Sequence, residues 1–167
     1  MIAAVTNQGK VRFMIYPGGL SPERLIVFMQ RLIKDAPRKV FLILDNLNVH
    51  KAKVVREWLE EHAHRIEVFD LPPYSPELNP SEYANGDLKG EIQRGVPPKD
   101  VTDLKPTMVS TSHRIQKYPG HVRAYFKHRH IKFAAQAHCN YAGSIISVPG
   151  VAEDRTGCKS EQRMLHC

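Results

Sequence analysis

The stretch Val40-Phe41-Leu42-Ile43-Leu44-Asp45 is a continuous apolar run that ends on an acid, and LPPYSPELNP at residues 71–80 leads into a second acid, Glu82, at the start of a helical pattern. An uninterrupted apolar run of this length is the pattern of a buried strand. Open α/β sheets hold their ligands at the carboxyl ends of their strands, which is where Asp45 would sit. Two prolines, a tyrosine and then SPELNP make a stiff connection, able to hold a helix start beside a strand end. The two acids are therefore expected close together.

Two carboxylates at a sheet edge repel each other unless a cation lies between them, and hard divalent ions prefer oxygen ligands. A two-metal phosphoryl-transfer site, with ions roughly 3.5–4 Å apart, usually needs more than two protein carboxylates. Each acid also has a purely structural reading. Asp45 opens DNLN, a turn-forming sequence whose backbone it can satisfy. Asn79, Pro80 and Glu82 fit an N-cap, a first-turn proline and an N3 carboxylate, close to a capping box.

Around this pair the chain reads as alternating elements. IAAVT and VRFMIY, separated by NQGK with Gly9 in the turn, predict a hairpin. SPERLIVFMQRLIKD predicts a helix capped by Ser21, with Leu25, Phe28, Met29 and Leu32 on its core face. KAKVVREWLEEH predicts a second helix using Val54, Val55, Trp58 and Leu59, and RIEVFDL a strand alternating Ile66 and Val68. The helix carrying Glu82 should stop near Gly95 and the prolines at 97 and 98. Two further helices follow, the first broken or kinked at Pro106.

The net charge of +7 is localised. Residues 1–104 hold 14 Lys/Arg against 14 Asp/Glu, residues 105–136 hold seven Lys/Arg and no acid, and residues 137–167 balance three against three. The excess comprises Lys105, Arg114, Lys117, Arg123, Lys127, Arg129 and Lys132. Such a segment can neutralise phosphates by counterion release, and these side chains are read as contacts to a DNA backbone. The interleaved Tyr118, Tyr125, Phe126 and Phe133 either contact bases or pack into the core, and core packing is the favoured reading. Cys139, Cys158 and Cys167 have no CxxC spacing and no regular His partners, which argues against a zinc site. No apolar run is long enough to span a membrane, and no secretory signal pattern is present, so a cytoplasmic protein associated with the nucleoid is expected. From about Ala137 the sequence shows no sustained helix or strand period, and a poorly ordered tail over 137–167 is expected.

The motifs resemble those of DDE-superfamily transposases of bacterial insertion sequences, in the branch similar to mariner-like elements. Asp45, Asn46 and His50 match a pattern of LDN followed by histidine. Pro72, Pro73, Tyr74, Ser75, Pro76, Leu78, Asn79, Pro80, Glu82, Leu88 and Lys89 match LPPYSPELNPxE followed by a helix carrying LK. The 36 residues between Asp45 and Glu82 fit as well. The resemblance runs from about residue 1 to 136 and includes the closing RIQKYPGHVRAYFKHRHIKFAA. It implies an RNase H-like α/β domain over 1–136, a mixed sheet with flanking helices. It further implies Mg2+ or Mn2+ held by Asp45 and Glu82, cleavage at terminal inverted repeats, and strand transfer into target DNA. Asn46, His50, Asn79 and Lys89 become site-adjacent candidates, although His50 also fits a surface helix cap and Lys89 a solvated lysine.

The family pattern has three acids, the first on an early central strand. Before Asp45 this chain offers only Glu23, at a helix start, and Asp35, in a turn, and neither ends a strand. The expectation is a transposase catalytic-domain fragment without its first strand, catalytically incomplete, and marginal in folding because two sheet edges stand open. Two alternatives follow. One is a DNA-binding or dimerising fragment that modulates intact transposase; the other is a nuclease recruiting Glu23 or Asp35.

Overall fold

A computed structural model describes residues 1–45, 48–72, 75–94, 101–131 and 141–147, with the backbone alone at 48, 76, 101–103 and 141–147. The chain opens with β1 (Ile2–Thr6) and β2 (Val11–Met14), antiparallel with Ile2 opposite Met14 and Val5 opposite Val11. Their turn closes through Gly9 N–H donating to the Thr6 carbonyl at 2.9 Å, with Gly9 at φ +87°. Then come α1 (Pro22–Lys34), β3 (Val40–Leu44), α2 (Lys53–Glu61) and β4 (Ile66–Asp70). After the proline-rich connection lie α3 (Pro80–Arg94), α4 (Val101–Gln116), α5 (Pro119–Tyr125) and β5 (Tyr141–Ser147).

The five strands among the described residues form one mixed sheet in the order β2-β1-β5-β3-β4. β3 runs parallel to β4, with Leu44 opposite Asp70, and parallel to β5; β1 is antiparallel to β5. Helices cover both faces. Ile2, Ala4, Val40, Leu42 and Leu44 pack on Leu25, Phe28, Met29 and Leu32 of α1 and on Val55 and Trp58 of α2. From the opposite face, Ala3 and Val5 pack on Ala84 of α3, on Val122 and Tyr125 of α5, and on Phe126 and Ile131. Residues 2–5 of β1 are accordingly buried on both sides, as a central strand should be. The mixed α/β architecture with flanking helices is that of an RNase H-like nuclease fold.

Several expectations change. The second strand stops at Met14 rather than Tyr16. On α2, Val54 is exposed and Leu59 only partly buried, because a nine-residue helix lying on one sheet face presents a narrow apolar stripe. Pro106 neither ends nor divides α4. It stands at the sixth helical position, so it removes a single ladder bond beyond the first turn, whose N–H groups have no intrahelical partner anyway. The helix end predicted near Gly95 falls at Arg94, and residues 95–100 lie outside the described residues.

The largest correction concerns the tail. Tyr141–Ser147 forms a strand, so an expectation of irregular chain throughout 137–167 does not hold there; 137–140 and 148–167 are outside the described residues. The two open edges expected of the sheet are both paired with β5. A strand between two helical layers needs no polar alternation, so the missing period gave no warning.

Candidate active site

Asp45 follows directly on β3, at the carboxyl end of a strand inside the sheet. The Leu71 N–H donates to the Leu44 carbonyl at 2.8 Å, so the chain leaving β4 stays tied to the end of β3 as the proline-rich connection begins. That connection delivers the start of α3. Asn79 caps it: its Oδ1 accepts from the Ser81 N–H at 2.9 Å, and its carbonyl from the Glu82 N–H at 3.1 Å. Asn79 and Ser81 are buried, whereas Glu82, in the first turn, is exposed. The capping reading of Asn79 is thus correct, and it coexists with an electrostatic role for Glu82.

The two acids influence each other. Burial first, and then the negative charge of Glu82, push the Asp45 carboxyl up to about 6. A 3-10 turn at Asn48–Lys51 brings His50 back over the strand end, where its Nε2 lies 4.0 Å from Asp45 Oδ1. His50 is 7% exposed, which overturns its reading as a surface cap. Burial pushes its pKa down to about 4, although the charge of Asp70 acts in the opposite direction. At neutral pH the imidazole is therefore uncharged, with one ring nitrogen an acceptor and the other a donor. Asp45 Oδ1 and both His50 ring nitrogens are buried without a hydrogen-bond partner among the described residues.

Asp70 is the acid that sequence reading passed over. It closes the strand IEVFD as Asp45 follows VFLIL, so the signal of a strand ending on an acid was present twice. Asp70 pairs with Leu44, one register position from Asp45, and its charge is felt at His50 beside Asp45. Asn85, one turn beyond Glu82, is also buried, and its Oδ1 lacks a partner among the described residues. Glu23 and Asp35 are placed elsewhere. Ser21 caps α1 beside Glu23, and Asp35 pairs with Arg12 at 3.2 Å.

A cavity of about 390 Å3 opens beside Glu82, lined also by Tyr83, Asp87, His121, Tyr125 and His128. Asp87 Oδ2 accepts from Tyr125 Oη at 2.6 Å and lies 2.5 Å from His121 Nε2. The Tyr83 and His128 rings stack at 3.9 Å. On the basic segment, Lys105, Arg114, Lys117, Arg123, Lys127 and Arg129 are exposed, as is Lys89 on α3. Arg114 is ion-paired with Glu91. Tyr125 and Phe126 are core residues, whereas Tyr118 is exposed. Asn46, Lys132 and Phe133 lie outside the described residues.

A mixed sheet with an acid at the carboxyl end of an internal strand, raised by a second acid at the start of the next helix, has the outline of a metal-assisted nuclease. The chain matches the family model of the DDE superfamily endonucleases over residues 1–105 and belongs to that family. No curated protein matches it significantly. Nucleases of this superfamily act on DNA and generally use divalent metals.

The residues present fit such an ion in part. An orphaned buried carboxylate oxygen on Asp45, repelled by Glu82, is the situation a divalent cation relieves. Among the described residues, however, no group of three or more His, Cys, Asp or Glu side chains is arranged to hold one. Nor is any helix there long and apolar enough to cross a membrane.

Proposed function

We propose that this chain is the DDE domain of an insertion-sequence transposase of the mariner-like branch, engaging DNA through its basic α4–α5 region and presenting Asp45 and Glu82 to a divalent ion. The observation that carries this reading is geometric: Asp45 stands at the carboxyl end of an internal strand with its Oδ1 buried and orphaned among the described residues, and Glu82, in the first turn of α3, is close enough for its charge to be felt there. The two carboxylates would hold Mg2+ or Mn2+, which when bound polarises a phosphate and lowers the pKa of attacking water. His50, buried and neutral, excludes solvent from one side of Asp45 and presents an unprotonated nitrogen. Lys89 and the exposed Lys117, Arg123, Lys127 and Arg129 would neutralise DNA phosphates of inverted repeats or target.

With two carboxylates the coordination shell is incomplete, and phosphoryl transfer depends on fixed metal geometry. The isolated chain is therefore expected to bind DNA but to cleave it at trace rates or not at all. Purified protein should retain labelled duplex DNA without metal, and retention should fall steeply with salt. Nicking of supercoiled plasmid in Mn2+ that disappears in Asp45→Ala would overturn the incompleteness. Failure to retain DNA at low salt would overturn the DNA-engaging role.

A second reading is favoured by the charge distribution. Seven basic residues without an acid over 105–136 suit a noncatalytic DNA-binding or dimerising partner that modulates an intact transposase. Inhibition of an active transposase by the Asp45→Ala variant, at the potency of the unmodified chain, would support it.

A further inference from the structure

Among the described residues, the β1–β2 hairpin and the parallel β3–β4 pair are hydrogen-bonded into one sheet through β5 alone. β5 fits that position irregularly on both sides. Against β1, Ile145 pairs with Ala4 and Ala142 with Thr6; against β3, Ala142 pairs with Leu42 and Ile145 with Leu44. Gly143 and Ser144 together therefore oppose one residue on each neighbour, Val5 and Ile43. An extra residue disrupts the ladder locally and leaves backbone groups unpaired. Here the same extra residue does so toward both neighbours at once, at the centre of the sheet.

We propose that the space between β1 and β3 is a strand-accepting site, that β5 is its displaceable resident, and that its partner is a regular apolar strand from a separate polypeptide. The site lies between helical layers, against a β1 buried on both faces and beside Leu42 and Leu44 at 0% exposure. A polar strand would bring in side chains without partners, so the incoming strand is apolar. It runs parallel to β3 and antiparallel to β1, as β5 does. β5 from a second copy of this chain carries the same extra residue and gains no ladder by exchange, whereas a strand without it restores pairing to both neighbours. β5 holds its place through its covalent tether, which gives it a high effective concentration.

The full-length chain tests this with two labelled synthetic peptides, Val-Ala-Val-Ile-Ile-Val followed by a short lysine tail for solubility, which has no extra residue, and the same peptide with a glycine inserted after the alanine, at the place of Gly143. The shorter peptide should bind saturably and about ten-fold more tightly, roughly the effect of one or two restored backbone hydrogen bonds. On binding, amides of 141–147 should lose hydrogen-exchange protection while those of β1 and β3 keep it. Equal affinity of the two peptides, or binding that leaves 141–147 protected, overturns the proposal. Deleting Gly143 from the chain should raise its melting temperature and weaken peptide uptake about ten-fold. A deletion that lowers the melting temperature, or leaves uptake unchanged, shows that the extra residue is no misfit. Dimers formed by exchange of β5 between copies, without peptide preference, would assign the site to a second copy and overturn the choice of partner.

Discussion

Asp45 Oδ1 lies 4.0 Å from His50 Nε2, and neither atom has a hydrogen-bond partner among the described residues. The Asp45 carboxyl is raised from 3.8 to about 6 and the His50 imidazole lowered from 6.5 to about 4, both mainly by burial. Each group is thus held toward its neutral form, and their effects on stability oppose each other. Asp45 keeps its proton in the folded state after the unfolded chain has lost it, so its contribution is full below pH 3.8 and declines as pH rises through 6. His50 contributes fully above pH 6.5 and loses that contribution as pH falls through 4. Each window is worth on the order of 3 kcal/mol, at about 1.36 kcal/mol per unit.

Metal-free protein should therefore show a nearly level urea-unfolding stability between pH 4 and 6.5, by cancellation of the two trends. Asp45→Asn should expose the histidine trend, with stability rising by about 1–3 kcal/mol across that window. His50→Gln should expose the carboxylate trend, a fall of similar size. Parallel pH profiles for both variants would show that the two groups do not carry these shifts.

A divalent ion between Asp45 and Glu82 would remove the cost of ionising Asp45. At pH 7, Mn2+ should raise the melting temperature of the unmodified chain, and chelator should reverse the shift. Asp45→Asn should be more stable than the parent without metal, by roughly 1–2 kcal/mol, and unresponsive to Mn2+. Glu82→Gln should show a weaker response than the parent. A Mn2+ shift unaltered in both variants would place the ion elsewhere.

Much of this site was legible because its signals are local. VFLILD forces a buried strand ending on an acid, and Asn79-Pro80-Ser81-Glu82 dictates a capped helix start whatever surrounds it. The apolar spacing of α1 was equally readable, since Leu25, Phe28, Met29 and Leu32 all reach the core. What escaped reading depends on distant chain. The burial of His50 follows from a turn that folds back on Asp45, and nothing near HKAK announces it. Asp70 ends a strand as plainly as Asp45 follows one, but its register opposite Leu44 exists only once the sheet has assembled. β5 pairs with strands more than a hundred residues earlier in β1, a contact without local periodicity to mark it.

Gly9 is held by two constraints at once. Its φ of +87° is one that side-chain-bearing residues rarely adopt, and a Cβ there would stand 2.9 Å from the Cα and carbonyl carbon of Pro119 at the start of α5. Because the obstacle is backbone, it cannot rotate away. Gly9→Ala should lower stability by about 2 kcal/mol or more, with loss of amide protection in α5 as well as in the hairpin. A change under about 0.5 kcal/mol would mean that turn and helix part freely.

The basic segment divides into paired and unpaired charge. Arg114 is neutralised by Glu91, which also lies 3.4 Å from Arg94, whereas Lys117 and Arg123 are exposed and form no ion pair with an acid among the described residues. If phosphate contact comes from this surface, each unpaired cation releases about one counterion on binding. Lys117→Ala and Arg123→Ala should each reduce the slope of log affinity against log salt by about 0.9 and weaken binding uniformly across DNA sequences. Arg114→Ala should change the salt slope less, because in the free protein its charge is already matched by Glu91 rather than by a released counterion. Affinity titrations at several salt concentrations separate the cases. Equal slopes for all three variants and the parent would move the DNA surface away from α4 and α5.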